Sequence, residues 1–455
     1  MKRYDSYKDS GVEWMTKIPS NWDKSRIRMV GDLYGGLTGK KGSDFNDEDN
    51  PSNKPYVPFT NIFNNTYISK DHFQYVNVEE GENQNRVLKN DLFFLMSSES
   101  YEDLGKCSIL LEDVEELYLN SFCKGYRVKD SRVYPLFLNY QLLGSLHKEM
   151  ISIEGNGFTR INLRQDRLLD IPVFIPPTSE QQQIVSFLDT KTSLIDSLIE
   201  KTQRKIELLK EKRTSLINEV VTKGLNPNVE MKDSGVEWIG EIPSHWERVP
   251  FKYEIEILTD FTSNGSFKSL RENVEYLDMG YSRLVRLTDL RVNLENDGIF
   301  ISEDSHNFLG KSELFGGEIL ISCVGHYTGF VTKMLFDKGK CSLGPNMYLI
   351  RNKVVSSDVD YLIYLLNSDL IQSGLKNGIN KTTQEKINKD NVKDLQIVRP
   401  PLTEQQQIVE YLDEQTQLID NTISIEEKRI ELLKEYRQSL ISEVVTGKLK
   451  VTTDE

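Results

Sequence analysis

No run of about 18 apolar residues occurs in this chain, so no membrane-spanning helix is expected. The opening residues, Met1-Lys2-Arg3-Tyr4-Asp5, lead into no apolar stretch, so no signal peptide is expected, and the scattered cysteines fit an expected cytoplasmic location. Cysteine is scarce. Cys107, Cys123, Cys323 and Cys341 form no CxxC pair, which argues against a disulfide framework and a cysteine-based zinc site. The histidines, His72, His147, His245, His306 and His326, are scattered without metal or triad spacing. A phosphate-cradling Gly-x-x-x-x-Gly-Lys-Ser/Thr loop is missing. Gly35-Gly36-Leu37-Thr38-Gly39-Lys40-Lys41 has the wrong spacing and reads as a basic, flexible loop. The Asn-Pro-Pro-aromatic and Asp-Pro-Pro-Tyr motifs of adenine methyl transfer are missing as well. These absences predict a chain that is not an enzyme on its own and holds no metal or cofactor. A basic excess is also lacking: 56 Lys and Arg stand against 70 Asp and Glu, a net charge of −14. Taken alone, that argues against nucleic acid, whose phosphates call for Lys and Arg.

What is present is a repeat. Lys8-Asp9-Ser10-Gly11-Val12-Glu13-Trp14 recurs as Lys232-Asp233-Ser234-Gly235-Val236-Glu237-Trp238, and Ile18-Pro19-Ser20-x-Trp22 recurs as Ile242-Pro243-Ser244-x-Trp246. Glu180-Gln181-Gln182-Gln183-Ile184-Val185 recurs as Glu404-Gln405-Gln406-Gln407-Ile408-Val409, at the same offset of 224. The chain, 455 residues with 38% apolar and 28% charged, is thus a tandem duplication with room for at least two globular cores. Residues 25–170 and 249–394 share little beyond pattern, although Gly105 matches Gly329 and Arg127 matches Arg351. Near-identical flanks around dissimilar middles point to one mount carrying two different readers. Short β-branched and aromatic runs between Gly, Asn and Ser turns make those middles α+β.

The repeated ends read as long helices. Pro176-Pro177 and Pro400-Pro401 precede them, and Thr178-x-x-Gln181 and Thr403-x-x-Gln406 read as capping boxes. Each then runs free of glycine and proline for roughly 44 residues, on the order of 65 Å. A heptad places Leu188, Ile195, Ile199, Ile206, Leu209 and Leu216 on one seam, and Leu412, Ile419, Ile423, Ile430, Leu433 and Leu440 on its copy. Thr192, Thr202 and Arg213 interrupt the first seam, and Thr416, Glu426 and Arg437 the second. Two helices paired through equivalent faces of a duplication are related by a pseudo-dyad, which makes the coiled coil antiparallel.

Polar loops supply candidate reading surfaces. In the first copy these carry Thr38, Lys40, Lys41, Asn61, Ser98, Tyr101, Arg160 and Asn162. In the second they carry Thr262, Ser263, Asn264, Arg286, Tyr327, Lys381 and Thr382. Arg suits guanine edges, Asn suits adenine, and Ser and Thr suit phosphates or bases. Arg160-Ile161-Asn162 and Gln384-Glu385-Lys386-Ile387-Asn388 look like one shared element with a two-residue difference in spacing.

The two Gly-Val-Glu-Trp…Ile-Pro-Ser-x-Trp segments and the two Pro-Pro…Glu-Gln-Gln-Gln-Ile-Val…Leu-Asp helix entries, placed around two variable regions, resemble the specificity subunit of type I restriction-modification systems. The resemblance covers both halves. It implies an α+β fold of two similar target recognition domains, joined by two long helices in an antiparallel coiled coil with internal pseudo-two-fold duplication. The boundaries expected are a repeated segment 1–24, recognition domain 25–175, helix 176–230, repeated segment 231–248, recognition domain 249–399 and helix 400–455. The resemblance further implies that each domain reads one half of a split, asymmetric site in double-stranded DNA. The coiled coil would set the spacer and dock two adenine methyltransferase subunits, with motor-nuclease subunits joining the complex. S-adenosylmethionine, ATP and magnesium would belong to those partners. Two other readings stay open at this point: the recognition subunit of a different modification system, and a non-DNA coiled-coil scaffold presenting two binding domains.

Overall fold

The structure, a computed structural model, describes residues 2–45, 53–79, 81–377 and 386–451. The chain forms two compact units, Met1–Gln203 with Lys428–Glu455, and Arg204–Glu427.

In the first unit, strands Asp23–Arg26 and Pro172–Ile175 pair antiparallel, so the reading region enters and leaves side by side. Inside it lie β1 (Gly31–Gly35), β2 (Leu92–Leu95), β3 (Ser97–Ser98), β4 (Cys107–Ile109) and β5 (Cys123–Val128). Four of these form an antiparallel sheet in the order β1-β5-β2-β4. The Leu92-Phe93-Phe94-Leu95 run is apolar throughout because this sheet has a core on each face. Alternate side chains point to opposite faces of a strand. Leu92 and Phe94 join a cluster with Trp22, Tyr126 and Phe137, while Phe93 and Leu95 join one with Val57, Ile62 and Leu117. Helices α1 (Pro135–Leu143) and α2 (Ser145–Ile153) follow, then the short strands β6 (Gly155–Asn156) and β7 (Ile161–Leu163), then α3 (Thr178–Lys223). The glycine at 105 is required. Its φ is +66°, its N–H bonds the Leu95 carbonyl, and a Cβ there would stand 2.3 Å from Ile151 Cγ2.

The second unit repeats this plan. Strands Glu247–Pro250 and Gln396–Arg399 close its reading region. Strands β8 (Ile255–Asp260), β9 (Ile319–Ser322), β10 (Val331–Lys333) and β11 (Met347–Asn352) form a sheet in the order β8-β11-β9-β10. Helices α4 (Val359–Asn367), α5 (Asp369–Asn377) and α6 (Leu402–Val445) follow. An ion pair between a half-buried arginine and a buried acid recurs with a changed acid. Arg127 bonds Asp91, which also accepts the Leu88 N–H, and Arg351 bonds Glu318, which accepts the Phe315 N–H. The middles differ most beyond this sheet. The first unit adds a three-stranded sheet around Asn53–Val57, and the second a five-stranded sheet around Ser282–Val285 and Cys341–Leu343.

The helices pair antiparallel within each unit. In the second, Lys205 meets Glu426 at 2.6 Å and Arg213 meets Asp420 at 3.0 Å, so numbers fall on one helix as they rise on the other. In the first, Arg437 meets Asp196 at 3.0 Å, the counterpart of Arg213–Asp420 at the 224 offset. Of the expected seam, Leu188, Ile195, Ile206, Leu412, Ile419, Ile423, Ile430 and Leu440 are buried. Ile199, Leu209, Leu216 and Leu433 are half-buried. The polar interruptions Thr192, Thr202, Thr416 and Glu426 are also buried. Glu426 is matched by Lys205, and Thr202 donates to the Leu198 carbonyl one turn back.

The capping boxes are not what the glutamines form. The helices begin at Thr178 and Leu402, so the expected cap Thr178 is already the first helical residue and Thr403 the second, and the glutamine that matches Gln181 at the 224 offset is Gln405, one before the expected Gln406. Gln181, fully buried, accepts from the Tyr134 N–H and donates to the Arg132 and Pro176 carbonyls. Gln405 does the same with Asp358, Ser356 and Pro400. Each glutamine thus ties the start of the long helix to the loop that enters α1 or α4. Two further clamps recur. The buried Trp22 indole donates to Glu180 and Trp246 to Glu404, both at 2.9 Å. Tyr140 donates to Asp189 and Tyr364 to Asp413, both at 2.6 Å. Buried polar atoms call for partners, and these motif residues are one another's partners.

Candidate nucleic-acid interface

The sheet register brings the candidate loops of each unit to one end. In the first unit, Gly35 pairs with Lys124, Leu95 with Cys123 and Phe94 with Cys107. The loops leaving that end carry Thr38 to Lys41, Ser97 to Tyr101 and Asn120 to Phe122. The β6–β7 hairpin joins them, because β7 pairs with β3, Ile161 against Ser98. A cavity of about 760 Å³ opens there, lined by Phe59, Phe63, Ser97, Ser98, Phe122 and Arg160 among others. The second unit has the same end, where Thr262, Phe267, Tyr276, Cys323, Asn346 and Lys386 help line a cavity of about 700 Å³.

Individual residues divide into exposed and committed. The loop Gly35 to Lys41 was expected to be flexible, yet it is anchored. Leu37 is buried with its N–H on the Leu119 carbonyl, and a Cβ on Gly36 would stand 2.1 Å from the Asn120 oxygen. Thr38 is exposed and donates to Gln84. Lys40 pairs with Glu82 at 2.5 Å, and that bond helps hold the Glu82 carboxyl down to about 2. Lys41 is exposed. Asn61 is 1% exposed inside a helical turn, its amide bonded to the carbonyl and N–H of Ser69, so it braces the domain and does not face solvent. Ser98 is half-buried; Tyr101 is exposed, its hydroxyl 3.4 Å from the Gly157 carbonyl. Arg160 and Asn162 are exposed on the hairpin.

In the second unit Thr262 is exposed, while Ser263 and Asn264 are half-buried. Ser263 bonds Asp260, and Asn264 bonds Ser312 and the Lys311 N–H. Burial alone would raise the Asp260 carboxyl, yet hydrogen bonds from Ser263 and Lys389 bring it below its ordinary value. Arg286 forks onto buried Asp289 at 3.0 and 3.1 Å, an arrangement that lowers the carboxyl despite burial and turns part of this guanidinium inward. Tyr327 is exposed with the Arg291 guanidinium 4.2 Å from its ring centroid. Lys381 and Thr382 lie outside the described residues.

The shared element resolves without a spacing difference. Leu163 donates its N–H to the Met96 carbonyl just past β2, and Ile387 donates to the Cys323 carbonyl just past β9. Leu163 and Ile387 are 224 apart, so Ile387 corresponds to Leu163 and not to Ile161.

Sequence reasoning named Tyr101 and Tyr327 but did not single out the phenylalanines of this surface. Phe122 and Phe158 are exposed at the loop end, and Arg160 lies over the Phe122 ring. Polar turn composition marks such loops, and a single Phe within one carries no periodic signal. Chemistry of other kinds finds little purchase. All four cysteines are buried, with burial pushing the Cys123 thiol up to about 12 and Cys341 up to about 11, so neither is a thiolate near neutrality. Among the described residues, no three His, Cys, Asp or Glu side chains gather as a metal set, and no helix is long and apolar enough to cross a membrane.

Comparison with known proteins fits this geometry. Residues 19–208 and 256–435 match the type I restriction modification DNA specificity domain, once in each copy. The chain is 25% identical to the type I restriction enzyme MjaVIII specificity subunit of Methanocaldococcus jannaschii, over 98% of this chain and 97% of that one. Two solved chains share the fold. One comes from work on complex assembly and conformational transition of the type I R-M system (TM-score 0.70, 15% identical, covering 95% of this chain and 99% of that chain). The other is the HsdS subunit from Thermoanaerobacter tengcongensis (TM-score 0.57, 16% identical, covering 95% and 98%). The chain belongs to the family of type I restriction-modification DNA specificity subunits. Its role is DNA recognition, without catalysis of its own.

Proposed function

We propose that each unit reads one half of a bipartite, asymmetric site in double-stranded DNA through the loop end of its sheet. The paired helices set the spacer and dock two adenine methyltransferase subunits, and motor-nuclease subunits join the complex in the cytoplasm. S-adenosylmethionine, ATP and magnesium belong to those partners. The observation that carries this reading is the identity of the anchoring and the difference of the reading ends. Trp22–Glu180 and Trp246–Glu404 are the same bond, whereas Phe122 and Arg160 line one loop end and Phe267 and Tyr276 the other. The formal charge of −14 fits a chain whose partners neutralise much of the DNA backbone.

Exchange of residues 25–170 for the same region of a related subunit tests it. The entering and leaving strands are paired neighbours, so the region is an insert with adjacent ends. Methylome sequencing of the hybrid is expected to show one half-site changed and the other intact. Both changing, or neither, would refute one reader for one half-site.

A further inference from the structure

The β6–β7 hairpin ends in Gly157-Phe158-Thr159-Arg160, and Phe158 at its tip is 104% exposed, more than any other large apolar side chain among the described residues. Folding leaves this ring wholly in water, although a hairpin tip accepts small polar residues readily. Around it stand exposed Asn156, Thr159, Arg160 and Asn162, a concentration of base-reading side chains. A two-stranded ribbon fits the major groove of DNA, which is about 12 Å wide.

Arg160 is aimed. Its Nε and Nη2 donate to Ser97 Oγ at 3.3 and 3.1 Å, and its guanidinium carbon lies 5.9 Å from the Phe122 ring centroid. Ser97 is itself fixed, because its strand pairs with Asn162 of the hairpin. Two points of attachment set the plane of the guanidinium and leave Nη1 and one Nη2 proton for another acceptor. Glu99 and Asp103 line the same cavity and disfavour a phosphate beside this fork.

We infer that this hairpin tip is the base-reading element of the first unit. Arg160, oriented by Ser97 and Phe122, donates both arms to the O6 and N7 of a guanine, and Phe158 packs on the 5-methyl group of a neighbouring thymine. The inference rests on the reading above, that the first unit recognises one half-site, and goes further by assigning residues and bases.

The test uses the full chain reconstituted with its methyltransferase subunit. The site is mapped first, and the half-site belonging to residues 25–170 is identified by the exchange described above. Binding is then measured by competition on duplexes carrying 7-deazaguanine or uracil in that half-site. For the wild-type chain, one 7-deazaguanine, which lacks N7, is expected to weaken binding roughly tenfold. Uracil for the adjoining thymine is expected to weaken it severalfold. Arg160→Lys keeps the charge and loses the fork, so it becomes insensitive to 7-deazaguanine and tolerates other bases at that position. Phe158→Ser becomes insensitive to uracil. Both side chains are exposed, so neither substitution disturbs a core. A half-site without guanine, or Arg160→Lys that retains wild-type discrimination, overturns the assignment of Arg160. A uniform loss of affinity over all sequences also overturns it, because that is the signature of a phosphate contact. Phe158→Ser that remains sensitive to uracil overturns the assignment of Phe158. In these cases the one-unit, one-half-site reading stands. A wild-type complex that modifies no bipartite site sinks both.

Discussion

A half-length chain, residues 1–230, is expected to regain function by dimerising. In the intact protein the first unit is completed by the C-terminal part of α6, where Leu440, Ile441, Val444 and Val445 are buried in the same core as Ile184, Leu188 and Phe137. Truncation removes all four. At the 224 offset the half-chain carries Leu216, Ile217, Val220 and Val221, which fill the equivalent place in the second unit. A second copy can therefore supply the missing helix. Burying one such side chain is worth about 2 kcal/mol, so four on each side give a gross gain of about 16 kcal/mol. Association costs about 4–15 kcal/mol, and burial of Ile195 and Ile206 on each side adds about 8 kcal/mol at the same rate, so the balance is about 9–20 kcal/mol before other losses and a Kd of about 1 µM or tighter is expected.

The exchanged residues make this estimate concrete. Arg213 replaces Arg437 opposite Asp196, so that ion pair survives. Thr214 replaces Gln438 and loses the bond to the Leu143 carbonyl, at about 1 kcal/mol. Asn218 replaces Ser442, which bonds Ser145, but Asn218 already accepts an N–H at the equivalent place in the second unit, from Asp369. Thr202 replaces Glu426, which removes a nearly buried carboxylate and leaves its partner Lys205, a half-exposed side chain, to water, a change close to neutral. A symmetric dimer of readers recognises a palindrome. With its methyltransferase partner, the half-chain is therefore expected to modify the first half-site in inverted repeat. Sedimentation reads the assembly and methylome mapping the site. A half-chain that melts cooperatively yet sediments as a monomer at micromolar concentration would falsify the pairing argument, and a dimer that keeps the asymmetric site would refute one reader for one half-site.

Two further outcomes are expected. Deleting the matched heptads 203–209 and 427–433 shortens each helix by about 10 Å, roughly three base pairs, while the seam phase is kept; methylome mapping should return the same two half-sites with a shorter spacer, and an unchanged spacer in an active variant would show that the helices do not set it. His147 is buried, and burial lowers its pKa to about 4. The unfolded chain takes up the proton near pH 6.5 and the folded one does not, so stability is full above 6.5 and falls as pH drops toward 4. Between pH 6.5 and 5 the loss is about 2 kcal/mol from this group, and urea unfolding of His147→Gln should lack that share of the slope.

The duplication, the long helices and their seam were legible because each is written in local periodicity. A 224-residue offset and a heptad need no knowledge of distant partners. What was not legible depends on long-range pairing. Lys40 reads as a free cation, but its partner Glu82 lies 42 residues on. Asn61 reads as a loop residue beside Thr60, but a short helix turns its amide onto Ser69. Thr178-x-x-Gln181 has the residue types of a cap, and the same types serve equally well for the tertiary clamp that Gln181 makes. The register of the shared element misled because two isoleucines were aligned by identity, whereas the backbone bonds align Leu163 with Ile387.

The repeated flanks now have a physical account. Glu180, Gln181 and Asp189 stand in the N-terminal part of α3 and bond elements of the first unit, among them Trp22, the loop entering α1, and Tyr140. Glu404, Gln405 and Asp413 make the matching bonds to Trp246, the loop entering α4, and Tyr364 in the second unit. Every one of these bonds lies at the base of the reading region, among the elements that the paired entry and exit strands hold together. The loops at the other end of the sheet take no part in them. Substitution at Phe158, Arg160 or Tyr327 therefore leaves the anchoring bonds intact, whereas loss of Glu180 would strand a buried indole N–H. A fold arranged in this way can change what it reads without changing how it is held, and this is why two dissimilar middles can share nearly identical ends.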